Sequence, residues 1–300
     1  CLGLWDEATA QALGDHLQRA RRLAPPMPVC IQLGHAGRKA SSAAPWHGGM
    51  LISPQDGGWQ ALAPSALPHL PQEPAPTALT LADIARIQQD FVSAAQRAQN
   101  LGIEAIELHA AHGYLMHQFL SPLANQRSDA YGGSIENRAR FLHEVMSAVV
   151  AEIGGHRTGI RLSPVTPAND ASDDQPQPLF EHVAQLLGPM NLAYVHVIEG
   201  STGGPRDHQQ GEQAFDYAAL RQAYTAAGGH GAWMLNNGYD LPMAEQALAQ
   251  GADLVAFGRP FIANPDFPER VKRQLPMAVF DTATLFGGST HGYNDYPSIT

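Results

Sequence analysis

The stretch AIELHAAHGYLMHQFLSPLANQRSDAYGGSIENRARFLHEVMSAVVAEIGGHRTGIRLS, residues 105–163, holds the pattern that decides the fold. It begins with a short segment, Ala105–His109, and closes on a second one, Gly159–Ser163. Short, mostly apolar segments of this kind are typical of parallel strands that are covered on both faces. Between them a helix is predicted over Ile135–Ile153. A strand, a helix and a second strand in this order predict a parallel βαβ unit.

The same alternation extends to both sides of this unit. Further strands are predicted at Val29–Leu33, Tyr194–Ile198, Ala232–Asn236 and Leu254–Phe257. Further helices are predicted at Asp6–Leu23, Thr80–Gly102, Leu179–Leu187, Phe215–Ala227 and Leu241–Gln250, and Thr80 with Asp83 forms a capping-box pattern. Because the alternation has no break, residues 1–300 are predicted to form one α/β domain, a (β/α)8 TIM barrel.

Fewer strands are predicted than a closed (β/α)8 barrel requires. Six are predicted where a closed barrel needs about eight, and the helix Asp6–Leu23 precedes the first of them. The first two strands are therefore expected to lie upstream of Cys1, on about 60 further residues. On this expectation the chain by itself is an N-terminally incomplete barrel with two open sheet edges.

The composition argues against several classes of protein. With 44% hydrophobic and 15% charged residues over 300 positions, the chain is expected to fold around a sizeable core. A formal net charge of −10 argues against nucleic acid as a partner. No apolar run is long enough for a transmembrane helix, so no membrane partner is expected. The two cysteines, Cys1 and Cys30, form no metal or redox spacing, which indicates a reducing, cytoplasmic location.

Two long loops interrupt the alternation: the proline-rich residues 41–79 and the acidic residues 164–178. No regular element is predicted within the first of them. Loops of this length in a compact domain are usually functional. In a barrel they would follow the C-terminal ends of strands, where active sites are built.

The densest cluster of reactive side chains follows the strand Ala105–His109. His109, His112 and Tyr114 fall in one tight turn, where two imidazoles can hydrogen-bond a carbonyl oxygen that gains negative charge. Two other interpretations fit the same residues. Both histidines could be satisfied by local backbone groups, or His35, which follows another strand, could complete a three-histidine zinc site.

Several stretches then decide between these interpretations: QLGHAGRKA (32–40), HAAHGYLMHQFLSPLANQRSDAYGGSIENRARF (109–141), GIRLSP (159–164), NNGYD (236–240), VAFGRPFIANP (255–265) and FGGSTHGYNDYP (286–297). Together, and in this order, they resemble the old yellow enzyme family of flavin-dependent ene-reductases. The second stretch is the most specific, because its Asn-x-Arg-x-Asp-x-Tyr-Gly-Gly-Ser-x-Glu-Asn-Arg core is too long for a chance match.

The resemblance implies FMN as the cofactor. It assigns Gln32 to the pyrimidine edge of the flavin and Arg161 to the N1–C2 carbonyl, where a cation stabilises the anionic reduced ring. The phosphate is expected on backbone N–H groups of Asn237–Gly238 and Gly258–Arg259. The Arg259 side chain and a short helix N-terminus would complete that anion site.

The resemblance also implies the reaction, a ping-pong transfer of a hydride from NAD(P)H to an activated alkene. The alkene is an α,β-unsaturated carbonyl or nitro compound. His109 and His112 match the pair that binds the substrate oxygen, and Tyr114 matches the tyrosine that protonates Cα. No metal is required.

Two of these stretches resemble different branches of the family. QLGHAGRKASS resembles the thermophilic-type branch, whereas FGGSTHGYNDYP resembles the other main branch, in which a tyrosine often precedes the Gly-Gly pair and lines the substrate pocket. Phe286 stands at that position and is expected to line the pocket without a hydroxyl. The Thr or Cys that tunes the flavin O4/N5 edge in the family is absent from this chain.

Other conspicuous residues are assigned structural roles. Cys30 is predicted to be a buried, inert thiol, and Tyr293 and Tyr296 are expected to close the barrel end or form an interface in a homo-oligomer. Packing roles are predicted for Trp46, Trp59 and Trp233. A role in knitting one loop to its helix is predicted for Asn125, Arg127, Asp129, Glu136, Asn137, Arg138 and Arg140.

Two rival functions stand beside the ene-reductase. A metal-dependent barrel hydrolase would use His35, His109 and His112, but it leaves Arg161 and the Gly258–Arg259 turn unexplained. A non-catalytic or weakly active barrel would follow if the missing strands leave the sheet open.

Overall fold

The computed structural model describes residues 2–23, 27–209 and 213–299. Its strands are β1 (Cys30–Leu33), β2 (Leu62–Ala63), β3 (Thr77–Ala78), β4 (Ala105–Ala110), β5 (Thr158–Leu162), β6 (Tyr194–Ile198), β7 (Ala232–Asn236) and β8 (Leu254–Val255). Its α-helices are α1 (Glu7–Leu23), α2 (Leu81–Asn100), α3 (Leu115–Leu120), α4 (Ile135–Ile153), α5 (Pro176–Leu187), α6 (Tyr217–Ala226), α7 (Leu241–Ala249), α8 (Arg259–Ala263) and α9 (Phe267–Arg273).

The main sheet consists of parallel strands in the order β1-β4-β5-β6-β7-β8. The register places Gln32 opposite Glu107. Arg161 stands opposite His109 on one side and His196 on the other. Parallel neighbours joined through helices are the repeating unit of a (β/α)8 barrel, and the predicted fold class is confirmed. Among the described residues, β1 and β8 are the outer strands of this sheet.

The helices pack against one face of the sheet. The central strands present apolar residues to this face, and five of them are at most 2% exposed: Ile106, Leu108, Ile160, Val195 and Val197. They share one apolar core with the buried sides of α2, α4 and α5. Burying an aliphatic side chain of this size stabilises the folded state by about 1.5–3 kcal/mol. This layer therefore fixes the sheet on which the candidate site stands.

The other face of the sheet is polar. Successive residues of a strand point to opposite faces, so the residues that alternate with the aliphatic ones share this second face. We call it the inner face, and its members include Gln32, Glu107, His109, Arg161, Tyr194, His196 and Asn236. The interpretation of the strands as apolar on both faces is therefore wrong for this side.

The predicted helices and strands are confirmed, with shifts at some of their ends. Thr80 Oγ1 accepts the Asp83 N–H at 3.1 Å, and the Asp83 carboxylate accepts the Thr80 N–H at 3.1 Å, so the capping box is present. Helix α5 begins at Pro176 rather than at Leu179. Proline is well suited to a first helical turn because its φ is preset and its missing N–H is not needed there.

Five short elements were not predicted: β2, β3, α3, α8 and α9. Strands β2 and β3 pair in parallel within residues 41–79, where no regular element was expected. Each has two residues, too few for an alternating pattern. Every residue of α3 is buried, so it shows no amphipathic period either.

The predicted burial of Cys30 is wrong, and two of the three tryptophans with predicted packing roles are largely exposed. Cys30 is exposed, because it stands on the inner face of the outer strand β1, with its Sγ 3.2 Å from the Tyr194 hydroxyl. Trp46 and Trp59 are 53% and 63% exposed because they lie in loop 41–79, outside the core. Trp233 is 4% exposed and packs as predicted. Cys1 lies outside the described residues.

The polar residues of 125–140 tie the loop after α3 to helix α4, as predicted, since Asn137 and Arg140 donate to the carbonyl oxygens of Gly132 and Ala130 at 3.1 and 2.8 Å. Others reach more distant segments. Arg127 donates to Asp129 and to the carbonyl oxygens of Pro64 and Leu79. Arg138 donates to Asp173 at 2.9 Å. In the tail, the hydroxyls of Tyr293 and Tyr296 accept backbone N–H groups of nearby tail residues. Within the described ranges, no helix is both long and apolar enough to span a membrane.

Candidate active site

The turn between β4 and α3 brings the three predicted catalytic side chains together. His112 and Gly113 both adopt left-handed φ values, 55° and 68°. A Cβ on Gly113 would stand 2.7 Å from Ala168 O, so a larger residue does not fit without a shift. The resulting turn places the His109 ring centroid 5.2 Å from that of His112 and 4.9 Å from that of Tyr114.

Hydrogen bonds determine how the two histidines face each other. His109 Nδ1 accepts the Ala111 N–H at 3.2 Å, so the proton of its neutral ring is on Nε2. That Nε2 lies 3.4 Å from His112 Nδ1. His112 Nε2 lies 2.8 Å from the Thr202 hydroxyl. His109 therefore has one N–H that it can donate to His112 or to the oxygen of a ligand.

Burial keeps both imidazoles neutral near pH 7. It lowers the pKa of His109 to about 3, with His112 and Arg161 adding to the effect. Burial, followed by Arg161 and His196, lowers the pKa of His112 to about 4. Neutral imidazoles can stabilise a developing oxyanion by donating N–H groups, without carrying a proton to transfer. The Tyr114 ring packs on His109, and its hydroxyl is a group of this turn that can donate a proton.

Side chains beneath the turn hold its backbone. The His112 N–H donates to Ser163 Oγ at 2.9 Å, and the His112 carbonyl accepts from Asn169 Nδ2 at 2.7 Å. The Gly113 N–H donates to Nδ1 of the fully buried His117 at 3.2 Å. Burial and, less strongly, His112 lower the pKa of His117 to about 3, so it acts as a neutral acceptor. These hydrogen bonds fix the backbone that carries the imidazole of His112.

Gln118 ties this turn to the loop that follows β1. Its side chain is completely buried, and its Nε2 donates to the carbonyl oxygens of Ala36 and Gly113 at 3.2 and 2.7 Å. Its Oε1 accepts the Arg38 N–H at 3.2 Å. The buried Arg38 guanidinium in turn donates to carbonyl oxygens of residues 169 and 170. The loops that follow β1, β4 and β5 are therefore joined to one another by hydrogen bonds at the C-terminal ends of the strands.

Two polar groups of the inner face contain the residues that the resemblance assigns to FMN. Gln32 Nε2 donates to Glu107 Oε1 at 2.6 Å, and His196 Nδ1 lies 2.7 Å from Glu107 Oε2. Arg161 donates from Nη2 to Asn236 Oδ1 at 2.8 Å. Gln32 and Arg161 are thus brought to the same face of the sheet, each with a polar partner.

This inner face fits a polar, anionic ring system. Arg161 Nε and His196 Nε2 are buried and have no hydrogen-bond partner among the described residues. Buried polar atoms are nearly always paired, so these two indicate a bound group that offers both an acceptor and a donor. A flavin pyrimidine ring has both, and the Arg161 cation is matched to its anionic reduced form.

The predicted phosphate residues meet where β7 and β8 end. Gly238 is left-handed at φ 68°, and a Cβ added to Gly258 would find no atom within 4 Å, so the backbone there is open. The Asn237 side chain binds the carbonyl oxygens of Glu199 and Ser201 and so holds the loop after β6. The Arg259 guanidinium carbon lies 5.3 Å from the centroid of Phe280.

Two sequence-predicted residues stand apart from this arrangement. Phe286 is 65% exposed and, within the described part of the chain, makes no hydrogen bond or ring contact with His109, His112 or Tyr114. His35 turns its Nδ1 to the Gly37 N–H at 3.0 Å. Among the described residues no three His, Cys, Asp or Glu side chains are placed to hold a metal ion, so the His35–His109–His112 zinc site is wrong.

Four residues of the site were missed: Glu107, His196, Thr202 and Arg206. Glu107 and His196 carry a signal in the sequence, since each is a polar residue inside a predicted strand, two positions from another polar residue. Thr202 and Arg206 lie in the loop after β6 and carry none. The Arg206 Cδ stands 3.9 Å from where a Cβ of Gly238 would be, and its guanidinium pairs with Glu199 and stacks over Tyr239.

Comparisons with known proteins show which proteins this chain resembles. The model of the NADH:flavin oxidoreductase / NADH oxidase family matches residues 24–278. Putative 12-oxophytodienoate reductase 10 of Oryza sativa subsp. japonica is 40% identical over 229 residues, 75% of this chain and 71% of that protein. The structure of morphinone reductase matches with a TM-score of 0.82 and 33% identity, over 99% of this chain and 78% of its own. The structure of the old yellow enzyme homologue from Zymomonas mobilis matches with a TM-score of 0.81 and 31% identity, over 98% of this chain and 80% of its own.

Proposed function

Because the chain belongs to the NADH:flavin oxidoreductase / NADH oxidase family, and within it to the old yellow enzyme group, we propose that it is an ene-reductase. FMN is the cofactor and NAD(P)H the co-substrate. The proposed substrates are small alkenes activated by a carbonyl or nitro group. The observation that carries this proposal is the pair of neutral imidazoles, His109 and His112, with the Tyr114 ring packed on His109 beside the polar inner face.

The proposed reaction has two half-reactions at one site. FMN, when bound, accepts a hydride from NAD(P)H and passes it to the β-carbon of the alkene after the oxidised nicotinamide has left. The residues assigned to hold it are Gln32 and Arg161 for the ring, with Asn237, Gly238, Gly258 and Arg259 for the phosphate. Arg206 lies beside them, with its charge paired with that of Glu199.

The protein's part in the second half-reaction is to hold the substrate oxygen and to deliver a proton. His109 and His112 would donate N–H groups to the carbonyl or nitro oxygen, whose negative charge grows as the hydride arrives. That interaction strengthens in the transition state, so it accelerates the reaction rather than only binding substrate. The Tyr114 hydroxyl would then protonate the α-carbon, which is a strong base at that stage.

The imidazole pair can be tested with a phenolate. A phenolate places an oxyanion where the substrate oxygen would bind, and its electron-rich ring above oxidised FMN gives a long-wavelength charge-transfer band. His109→Ala/His112→Ala should abolish that band while the purified protein remains yellow. His156→Ala, at an exposed position, is the matched control and should keep the band. A double variant that binds FMN and still shows the band would overturn the assignment.

A further inference from the structure

Glu107 is the charged centre of the inner face, and no step of the proposed reaction uses it. Its side chain is 11% exposed and lies on the inner face of β4, in register with Gln32. Its carboxylate oxygens reach two other strands: Oε1 lies 2.6 Å from Gln32 Nε2, and Oε2 lies 2.7 Å from His196 Nδ1. The Tyr194 hydroxyl is a further neighbour of the carboxylate. One carboxylate therefore joins β1, β4 and β6.

A carboxylate accepts hydrogen bonds and cannot donate them, so it decides how both partners are oriented. Gln32 must present its amide nitrogen to Glu107, which leaves its Oε1 and its second N–H for another molecule. His196 must carry a proton on Nδ1, so in the neutral ring Nε2 is an acceptor. That Nε2 is buried and without a partner among the described residues.

The charge of Glu107 also bears on Arg161. Burial raises the pKa of Glu107, but hydrogen bonds from His196 and Gln32 and the charge of Arg161 outweigh it, and the net shift is downward. The carboxylate is therefore ionised at neutral pH. A fixed negative charge near Arg161 opposes part of the positive potential that this guanidinium would apply to an anionic ring.

Resting on the proposed function, we propose that Glu107 is a positioning residue of the flavin site. It fixes the Gln32 amide with its oxygen directed away from Glu107 and fixes His196 with Nε2 as an acceptor. Its negative charge makes the reduction potential of the bound cofactor more negative than Arg161 alone would set it.

Glu107→Gln tests both parts, because it keeps the shape of the side chain and removes the charge. Without the charge, anionic reduced FMN should gain affinity relative to oxidised FMN by on the order of tenfold. For a two-electron couple this ratio corresponds to a positive shift of about 30 mV in midpoint potential. A purely structural role would weaken the binding of both redox forms equally and leave the potential unchanged.

Glu107→Asp separates position from charge. It keeps the negative charge but withdraws the carboxylate from Gln32 and His196. We expect a potential close to that of the wild type, together with weaker binding of oxidised FMN. A Glu107→Asp shift as large as that of Glu107→Gln would overturn the electrostatic part of the proposal.

Asp173→Asn is the matched control. Asp173 is another buried carboxylate, 4% exposed and paired with Arg138 at 2.9 Å, but it joins α4 to the loop after β5 and does not lie on the inner face. Its loss should lower the stability of the fold and leave the potential of bound FMN unchanged. An equal shift in Asp173→Asn would show that any lost buried charge has this effect, and would overturn the assignment to Glu107.

A second readout needs no cofactor. In Glu107→Gln, one of the two neighbours must now face an amide N–H, so the ring proton of His196 should move from Nδ1 to Nε2 or the Gln32 amide should turn over. The ¹⁵N shifts of His196 and of the Gln32 side chain in the apoprotein report these changes, with His196→Asn and Gln32→Ala assigning the signals. If both groups keep their wild-type state, the positioning part is wrong.

The outcomes separate the inference from the function on which it rests. A wild-type chain that takes up no FMN would overturn the proposed function and this inference together. A wild-type chain that is yellow, beside a yellow Glu107→Gln variant of unchanged potential, would overturn only the inference. If Glu107→Gln binds FMN too weakly for a potential to be measured, the apoprotein readout decides.

Discussion

The Tyr114 hydroxyl should matter for acceptors that need a proton on carbon and not for acceptors that do not. In Tyr114→Phe the reduction of FMN by NAD(P)H should be nearly unchanged, because that half-reaction needs no proton from Tyr114. Reduction of an enone should slow by about 10²–10⁴-fold, the usual contribution of a positioned general acid. Quinone acceptors, which need no protonation at carbon, should react at the wild-type rate. Stopped-flow measurement of each half-reaction distinguishes these effects.

The control for that experiment is Tyr131→Phe. Tyr131 donates its hydroxyl to Glu144 at 2.8 Å, away from the histidine pair, so the variant loses a hydroxyl without losing the proposed acid. It should keep the wild-type ratio of enone to quinone reactivity. If Tyr114→Phe slows all acceptors to the same extent, Tyr114 has a packing role and the proton comes from elsewhere.

The histidine turn could be predicted from the sequence, whereas the hydrogen-bond network around Glu107 could not. His109, His112 and Tyr114 are close in the chain, so a single turn was enough to place them together. Glu107 reaches Gln32 and His196 across 75 and 89 positions of sequence, and only the strand register brings the three into contact. The register was beyond reach because the strands were interpreted as apolar on both faces.

At the scale of the element, the turn after β4 depends on one glycine. Gly113 and Gly133 both have left-handed φ values, 68° and 81°, but only a Cβ on Gly113 would meet atoms at 2.7 Å. Gly133→Ala should lower the free energy of unfolding by about 1–2 kcal/mol, the cost of the left-handed conformation. Gly113→Ala should add the cost of the clash, for a total of about 2–4 kcal/mol.

Urea unfolding of both variants measures this difference. Phenolate titration should show a second one, because a shift of the 111–114 backbone moves both imidazoles, whereas Gly133 lies in the loop before α4. Equal losses of stability in the two variants, with equal phenolate affinities, would mean that the turn relaxes to accept the Cβ.

Helices whose buried residues recur with a helical period were predictable from the sequence. Short elements that are stabilised mainly by contacts with the rest of the fold were not. Helix α4 was predicted with both of its observed ends, since its buried residues recur with a helical period. Helix α3 has six residues, all of them buried, and therefore gives no contrast between two faces. Strands β2 and β3 form inside a proline-rich loop where residue propensities argue against any strand.

At the scale of the whole molecule, three buried histidines predict acid sensitivity above the range of the carboxylates. The pKa values of His109, His112 and His117 fall from 6.5 to about 3, 4 and 3 in the folded chain. The unfolded chain therefore binds more protons than the folded one between pH 6.5 and about 4. The free energy of unfolding should fall as the pH drops through this window, by up to about 1.4 kcal/mol per pH unit for each histidine.

Measurements between pH 6.5 and 5 isolate the histidines, because most carboxylates titrate lower. His117→Gln keeps an acceptor for the Gly113 N–H and removes one titrating ring. Its unfolding should take up about one proton fewer than that of the wild type at the acid end of this range. An identical pH dependence in the variant and the wild type would show that His117 does not titrate on unfolding.

The two bare atoms of the inner face, Arg161 Nε and His196 Nε2, have a consequence for the life of this protein in a cell. A cofactor that hydrogen-bonds them binds the folded chain and not the unfolded one, so at 100 times its Kd it adds about 2.7 kcal/mol to a net stability of about 5–15 kcal/mol. A newly made chain that has not yet met its cofactor is therefore more open to proteases than the loaded chain. Its steady-state abundance should accordingly rise and fall with riboflavin supply while its rate of synthesis stays constant.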